Sequence, residues 1–335
     1  MGDVAMTSPV VKALRDKYPD VRVVVLTRPF FKPFFRDIEN VEFADLDLKE
    51  RHKGFKGLLR LVKDIKEKYK IDQVADLHDV LRTKVIRTIF RLSGAKTAVI
   101  NKGRKEKHRL TRYNNKEFKP LKTTFSRYAD VFARLGYEVE IPAEVKQRAD
   151  IPVPDKITGK LGEKNISWVG IAPFAQHKGK IYPLDKMEKL VKTLSTEEGI
   201  QIFLFGGGEE ERAVTEEWET KYPRTFSVIG KLSLDEELDL MANLDVMLSM
   251  DSSAMHMSSL VGLPVVSVWG ATHPYAGFFG LGQCEDNAIQ RDLDCRPCSI
   301  YGNKPCFKGT YECLTDIHSD EIINKILYLL ISNIR

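Results

Sequence analysis

Short apolar runs alternate with amphipathic helical patterns along almost the whole chain. Trp168–Ala172 and Val265–Trp269 are typical runs, each nearly continuous in apolar residues. Such runs are typical of parallel strands that helices cover on both faces. The alternation therefore predicts an α/β fold with doubly wound parallel sheets. The predicted strands are Val21–Leu26, Gln73–Leu77, Thr97–Ile100, Trp168–Ala172, Ile200–Phe205, Thr225–Ile229, Val246–Ser249 and Val265–Trp269.

The segment Val139–Asn165 interrupts this alternation. It is rich in proline, glycine and charge and has no sustained period. Such a composition indicates a domain boundary. We predict Rossmann-like domains over residues 1–155 and 166–318, followed by a helical segment over 319–335. The N-terminal domain is one candidate surface on which that last helix could pack.

Composition indicates a soluble protein, with 43% hydrophobic and 30% charged residues. No apolar stretch approaches the roughly 20 residues that span a bilayer, and no signal peptide is visible, so we expect a cytoplasmic location. Ten of the residues in Asn101–Arg127 are Lys or Arg. This run is either a solvated face or a patch for an anionic partner such as a phosphorylated glycolipid or a membrane surface. No aromatic platform accompanies it, so nucleic acid is not expected.

Four of the five cysteines lie close together near the C-terminus, namely Cys295, Cys298, Cys306 and Cys313. In a reducing compartment this clustering suggests zinc before disulfides. The second pair is spaced more widely than in a zinc ribbon, and no histidine lies at the expected position. We favour reduced thiols packed in a loop over a structural metal.

Two loops that follow predicted strands carry candidate ligand-binding residues. Lys180 lies between the strand Trp168–Ala172 and a helix that Pro183 begins. A lysine in this position could bind a phosphate, or it could be an ordinary surface residue. Gly206–Gly208 permit close approach of the backbone to a ligand, and the glutamates after them suit a helix N-terminus. One of these acids could also accept a ribose hydroxyl. The glycine spacing is not that of a dinucleotide site.

The most informative stretch is "MDSSAMHMSSLVGLPVVSVWGATHP". A predicted strand ends at Met250, and Asp251 or Ser252 is expected to cap a short helix. Asp251, Ser252 and Ser253 then offer side chains and free N–H groups to a diphosphate. His256 lies about one helical turn further along.

Three other stretches accompany this one: "MGDVAMTSPVVKAL", "VADLHDVLRT" and "KIYPLDKMEKL". Together, and in their order along the chain, the four stretches resemble glycosyltransferase family 9, the ADP-heptose:lipopolysaccharide heptosyltransferases. The resemblance implies a GT-B fold of two facing Rossmann-like domains, an inverting mechanism, and no metal or cofactor. It also implies a nucleotide-diphosphate sugar donor, typically ADP-heptose, bound by the C-terminal domain, with the acceptor bound by the N-terminal domain.

By this resemblance Asp3, in a Gly-Asp loop, is the catalytic base. Lys180 binds donor phosphate, and Glu209 or Glu210 contacts the ribose. The nucleotide-diphosphate loop comprises Asp251, Ser252, Ser253 and His256. We predict that basic residues bind the acceptor, namely Arg82, Lys84, Arg104, Lys105, Lys107 and Arg109.

The chain departs from the family pattern at three places. Tyr182 stands where a tryptophan is usual, and Ser253 stands where a glycine is usual. The family has an apolar strand ahead of Gly-Asp, so the first N-terminal strand is expected to be missing from this chain.

The resulting hypothesis is a glycosyltransferase that moves heptose from ADP-heptose to a lipopolysaccharide-core or related glycolipid, with peripheral contact to the inner membrane. Two alternatives stay open. One is a degenerate GT-B domain that binds an anionic glycan or lipid without turnover. The other is a nucleotide-sugar epimerase, although no convincing acidic pair is present for it.

Overall fold

Parallel strands, each followed by a helix, form the framework of both parts of the chain. The structure is a computed structural model that describes residues 1–147 and 150–332. The chain divides into two compact units. Unit 1 comprises Met1, Asp3–Arg104 and Lys122–Pro142, and unit 2 comprises Gly2, Lys105–Leu121 and Ala143–Arg335.

The N-terminal part begins with a short helix where the sequence suggested a Gly-Asp loop. Its helices are α1 (Gly2–Ala5), α2 (Ser8–Lys17), α3 (Gly54–Lys68), α4 (Leu81–Leu92), α5 (Arg104–Thr111) and α6 (Thr124–Leu135). Its strands are β1 (Val23–Thr27), β2 (Val41–Asp45), β3 (Gln73–Asp76) and β4 (Lys96–Val99). A 3-10 turn over Pro29–Phe35 precedes β2.

In unit 1 the described strands form two separate two-stranded parallel sheets, β1 with β2 and β3 with β4. Most residues of β1 and β3 are only half-buried. Leu61 and Val62 of α3 and Phe90 of α4 form the centre of the apolar core beside these sheets. The hypothesis that a first strand is missing from the chain stays a prediction.

The remaining elements belong to unit 2, as does α5 after its first residue. The helices are α7 (Asp155–Leu161), α8 (Leu184–Ser195), α9 (Glu209–Lys221), α10 (Leu234–Asn243), α11 (Ser253–Leu260), α12 (Glu312–Thr315) and α13 (Ser319–Ser332). The strands are β5 (Ser167–Ala172), β6 (Ile200–Leu204), β7 (Thr225–Ser227), β8 (Val246–Met250), β9 (Val265–Trp269) and β10 (Ala288–Gln290). Short 3-10 turns cover Lys178–Lys180, Pro274–Ala276 and Glu285–Asn287.

Within the described residues of unit 2, six parallel strands form one sheet in the order β10-β9-β8-β5-β6-β7. The chain adds β6 and β7 on one side of β5, then returns to add β8, β9 and β10 on the other. Strands β6, β8 and β9 are buried along their whole length, as their continuous apolar sequences predict. The order reverses between β5 and β8, which makes their carboxyl ends the topological switch point where α/β sheets bind ligands.

The C-terminal helix α13 packs on the sheet of unit 2. It contacts α8, β8 and β9, and Ile322 and Ile326 are fully buried in the same apolar core as Val191 of α8 and Leu248 of β8. The structure therefore packs this helix on the sheet of its own unit, and packing on the N-terminal domain stays a prediction. Residues 333–335 of the predicted C-terminal segment lie outside the described residues.

Candidate functional site

Lys180 and Asp251 form an ion pair at the switch point of the unit 2 sheet. Lys180 lies on the loop that follows β5, and Asp251 is the first residue after β8. The Lys180 Nζ to Asp251 Oδ2 distance is 2.8 Å, and the two side chains are 16% and 5% exposed. An ion pair this well buried costs desolvation energy and is weak evidence for stability alone. Its position at the carboxyl edge instead favours a role in binding an anionic ligand.

Tyr182 holds the Lys180 loop in the core. Its ring is fully buried, its hydroxyl donates to the Ile317 carbonyl at 3.0 Å, and its N–H donates to Met250 Sδ at 3.4 Å. Burial raises the pKa of this hydroxyl to about 12, so it stays a donor. Pro183 then leads directly into α8. The aromatic residue of Lys-x-aromatic-Pro therefore anchors the loop that carries Lys180.

Helix α11 begins two residues after Asp251 in sequence. The backbone N–H groups of its first turn are available as hydrogen-bond donors to a ligand. Of the two residues predicted to cap this helix, Asp251 and Ser252, it is Ser252 that occupies the N-cap position, with an extended backbone. Its side chain makes no capping hydrogen bond, and its hydroxyl instead shares a 3.2 Å hydrogen bond with Ser249 Oγ. The first-turn N–H groups of a helix have no intrahelical partners. An anion is a suitable ligand for such a helix end.

Ser253 and His256 share this helix. Ser253 is its first residue and is half-buried, and the His256 side chain is 7% exposed. The structure therefore collects four predicted donor-binding residues within one turn and its cap: Asp251, Ser252, Ser253 and His256.

The two glutamates predicted to contact ribose lie at the surface of α9. Glu209 is exposed and binds Arg212 through a 2.7 Å ion pair, and Glu210 is also exposed. The next residue behaves differently, because Glu211 is half-buried and accepts a 2.7 Å hydrogen bond from the Gly207 N–H. Burial raises the pKa of Glu211 despite that hydrogen bond. A glutamate at the third helical position that reaches back to the preceding loop is a known capping pattern. This pattern was the sequence signal that could have identified Glu211.

Two further ionisable groups, a half-buried glutamate and a buried histidine, follow strands β7 and β9 in the chain, and no sequence pattern predicted them. Burial raises the pKa of Glu237, in the first turn of α10, to about 7. Burial, together with the neighbouring cations Arg296 and Lys116, lowers the pKa of His273, after β9, to about 4. Perturbed groups of this kind are concentrated at functional sites.

Asp3, the predicted base, lies in unit 1 on α1 and is exposed. Its carbonyl accepts a long 3.5 Å hydrogen bond from the Tyr128 hydroxyl. Burial lowers the pKa of the neighbouring Met1 α-amino group, whereas the charge of Asp3 acts in the opposite direction.

The predicted acceptor-binding residues are divided between the units. Arg82, Lys84 and Arg104 belong to unit 1, where Asp79 pairs with Arg104 at 3.1 Å and with Lys84 at 3.9 Å. The residues Lys105, Lys107 and Arg109 on α5 group with unit 2.

These three basic residues of α5 differ in exposure. Lys107 is buried, with its Nζ 4.0 Å from the centre of the Phe278 ring, so it is removed from the exposed basic surface. Lys105 and Arg109 remain exposed, and Arg109 pairs with Glu117 at 3.4 Å.

The clustered cysteines are free thiols. All five cysteines of the chain are unpaired, and the described residues contain no group of three or more His, Cys, Asp or Glu arranged to hold a metal ion. Burial raises the pKa of Cys313 to about 12 and also raises that of Cys298. These two sulfurs are therefore protonated near neutral pH.

The family model of glycosyltransferase family 9, the heptosyltransferases, matches residues 58–306. The chain belongs to glycosyltransferase family 9. It is accordingly a glycosyltransferase, as its sequence motifs predict. Among the described residues, no helix combines the length and apolar character needed to cross a membrane.

Two curated relatives support this assignment. The chain is 26% identical over 300 residues to lipooligosaccharide heptosyltransferase 2 of Haemophilus influenzae, covering 82% of each protein. It is 20% identical over 337 residues to the Campylobacter jejuni protein of the same name, covering 97% of this chain and 95% of that relative.

Solved structures confirm the fold. A family 9 glycosyltransferase of Veillonella parvula aligns with a TM-score of 0.73 at 17% identity, covering 99% of this chain and 94% of that one. The E. coli ADP-heptose lps heptosyltransferase II aligns with a TM-score of 0.71 at 16% identity, covering 100% and 97%. The predicted GT-B class of α/β fold is therefore confirmed.

Proposed function

We propose that this family 9 glycosyltransferase moves heptose from ADP-heptose to a lipopolysaccharide-core or related glycolipid acceptor. The observation that carries the proposal is the buried Lys180–Asp251 ion pair at the switch point, followed directly by the helix end of α11. Relatives support the choice of donor, because E. coli heptosyltransferase structures are described with ADP and with ADP-2-deoxy-2-fluoro heptose.

The donor diphosphate gains negative charge as the bond to the sugar breaks. The Lys180 ammonium and the N–H groups at the start of α11 supply positive charge at that place. Asp251 holds the ammonium at the carboxyl edge, and Ser252, Ser253 and His256 supply further hydrogen-bonding groups. Glu209 or Glu210 contacts the ribose. These groups act in place of a divalent ion, so the proposed reaction is metal-independent.

Asp3 acts as the general base. An acceptor hydroxyl attacks the anomeric carbon from the face opposite the diphosphate and gives its proton to the Asp3 carboxylate, which inverts the anomeric configuration. General-base catalysis of this kind contributes roughly 10²–10⁴-fold to the rate. On the acceptor side, exposed Arg82, Lys105 and Arg109 are suitable ligands for phosphate or carboxylate groups, together with Arg104 and Lys84 around Asp79.

The proposal is tested by calorimetry with ADP, UDP and GDP, and by mass spectrometry of product made from ADP-heptose and a heptose-free lipopolysaccharide core. Wild-type protein should prefer ADP and form product. Lys180→Ala should lower kcat about 10²–10³-fold, as removal of one transition-state charge contact does. The matched control is Lys178→Ala on the same 3-10 turn, whose ammonium lies 5.2 Å from the Tyr311 ring centre, and it should stay within about threefold of wild type. Asp3→Asn should abolish most transfer and keep ADP affinity.

Other outcomes identify the alternatives. Glycolipid binding without ADP affinity or transfer would indicate a degenerate binding domain, and an isomerised sugar without an acceptor would indicate an epimerase. Equal activity of the Lys180 and Lys178 variants would contradict the donor assignment. Activity retained in EDTA tests metal independence, and the product's anomeric configuration, measured by NMR, tests inversion.

A further inference from the structure

The loop that contains three of the clustered cysteines contacts the Lys180 turn directly. We call residues 291–311, between β10 and α12, the cysteine loop. Its central residue Gly302 is buried and has a φ of +71°, and a Cβ built on it would lie 2.6 Å from Lys180 Cγ and 3.4 Å from Cδ and Cε. The aliphatic stem of Lys180 therefore lies against the Gly302 backbone.

A buried arginine fixes the start of the cysteine loop. Arg296 is 4% exposed, and its Nε donates to the Gly270 carbonyl at 2.6 Å. The guanidinium also donates to other carbonyls at the ends of β9 and β10, those of Trp269, Thr272 and Arg291. Charge-assisted hydrogen bonds in a buried site are strong and geometrically specific. The loop is therefore held to the strand ends that border the donor site.

Backbone hydrogen bonds continue this connection to the lysine. The Ala271 carbonyl accepts from the N–H groups of Cys298 and Ser299 at 3.1 and 3.2 Å, and the Ala271 N–H donates to the Gly179 carbonyl at 2.8 Å. A Cβ at Gly179 would lie 2.8 Å from the Gly302 carbonyl oxygen. Three backbone segments thus meet beside Lys180 with no room for an added side chain.

We infer that the cysteine loop positions Lys180 for the donor diphosphate, with Gly302 as the positioning residue. The Gly302 backbone directs the lysine stem so that Nζ reaches Asp251 at 2.8 Å. The clash predicted for an added methyl involves Cγ, near the base of the side chain, so the stem must turn to avoid it and the ammonium must move. A misplacement of about 1 Å in a reacting assembly can cost about 10²-fold in rate. This inference rests on the proposed function.

The test compares two glycines of the same loop. Gly302→Ala should lower kcat for heptose transfer at least about tenfold and weaken ADP binding. Gly309→Ala is the matched control, because Gly309 has a similar φ of +77° and its Cβ would meet no atom of the described residues within 4 Å. It should stay within about twofold of wild type, since it has the same backbone strain without the contact. The Tm of each variant, measured by thermal unfolding, separately reports how much the backbone strain of the alanine destabilises the fold.

A second pair of variants separates positioning from general damage. In the Lys180→Ala background the stem is absent, so Gly302→Ala should cause no further loss beyond about twofold, a non-additivity expected of residues that act through one contact. If Gly302→Ala does not fold, Asn303→Ala loosens the same turn, because it removes the 3.1 Å hydrogen bond between Ser299 and Asn303. This substitution of an exposed residue should lower kcat in the otherwise wild-type protein. It should have no effect on kcat in the Lys180→Ala background.

Two results would overturn the inference alone: equal kcat for the two glycine variants, or an undiminished effect of Gly302→Ala in the Lys180→Ala background. Wild-type protein that binds no ADP would instead overturn the proposed function and, with it, this inference.

Discussion

At the scale of single residues, His273, which follows β9, shows how burial controls the charge of a side chain. Its ring is 7% exposed, and Nδ1 accepts a 3.1 Å hydrogen bond from the Tyr275 N–H. Burial and two neighbouring cations, Arg296 and Lys116, favour the neutral ring and lower its pKa to about 4. An unfolded histidine titrates near pH 6.5.

The expected result is a loss of stability in acid. The contribution of neutral His273 is fully present above about pH 6.5 and is lost as the pH falls toward 4, because the unfolded state then binds the proton more tightly. The loss amounts to at most about 3 kcal/mol. His273→Asn keeps an acceptor for Tyr275 and removes the titration, so its Tm should fall less between pH 7 and 4.5. Parallel Tm curves for the two proteins would refute the assignment.

At the scale of elements, the cysteine loop and α11 show that short irregular segments position the charged groups. The loop is anchored by Arg296 and by backbone hydrogen bonds to Ala271, and we expect these contacts to hold its shape without a metal. Thiolates are the metal-binding form of cysteine, and burial keeps Cys298 and Cys313 protonated near neutral pH.

Chelation should therefore leave this element intact. Protein purified under reducing conditions should contain well under one zinc or iron per chain by elemental analysis, and EDTA should shift the Tm by no more than about 1 °C. A stoichiometric metal whose removal lowers the Tm by several degrees would show that the thiols form a structural site.

At the scale of the whole molecule, the formal charge of +5 is unevenly distributed. Exposed basic residues lie on α5, and Lys105 and Arg109 are among them. We propose that this surface contacts anionic lipid near a lipid-linked acceptor. Each basic residue near such a membrane contributes about 1 kcal/mol, and salt screens the attraction.

Liposome flotation tests this proposal. Binding should rise with the fraction of anionic lipid and be lost at about 0.5 M salt, where the screening length is only a few ångströms. Lys105→Glu/Arg109→Glu should weaken binding severalfold. The control Lys189→Glu/Lys192→Glu makes the same charge change on exposed positions of α8 and should have a small effect. Equal losses in both double variants would mean that only net charge matters.

Local sequence patterns were sufficient to predict most of the strands of the fold. All eight predicted strands are present, with ends shifted by a few residues, because a buried strand must be apolar wherever it lies in the sheet. The strands β2 and β10 were missed. Polar residues interrupt Val41–Asp45, and Ala288–Gln290 is too short to show a period. The basic helix α5 was missed because its polar sequence has little amphipathic pattern.

The sequence by itself determined the class of fold, the family, and which residues follow β5 and β8. Spacing and chemistry along the chain are sufficient for these, because strand periodicity, helix caps and glycine turns are local properties. Only the tertiary structure decided that Lys180 reaches Asp251, that Gly302 lies under the lysine stem, and that Lys107 is buried against Phe278. These contacts join residues far apart in sequence, and their distances depend on strand order and packing, which no local pattern encodes.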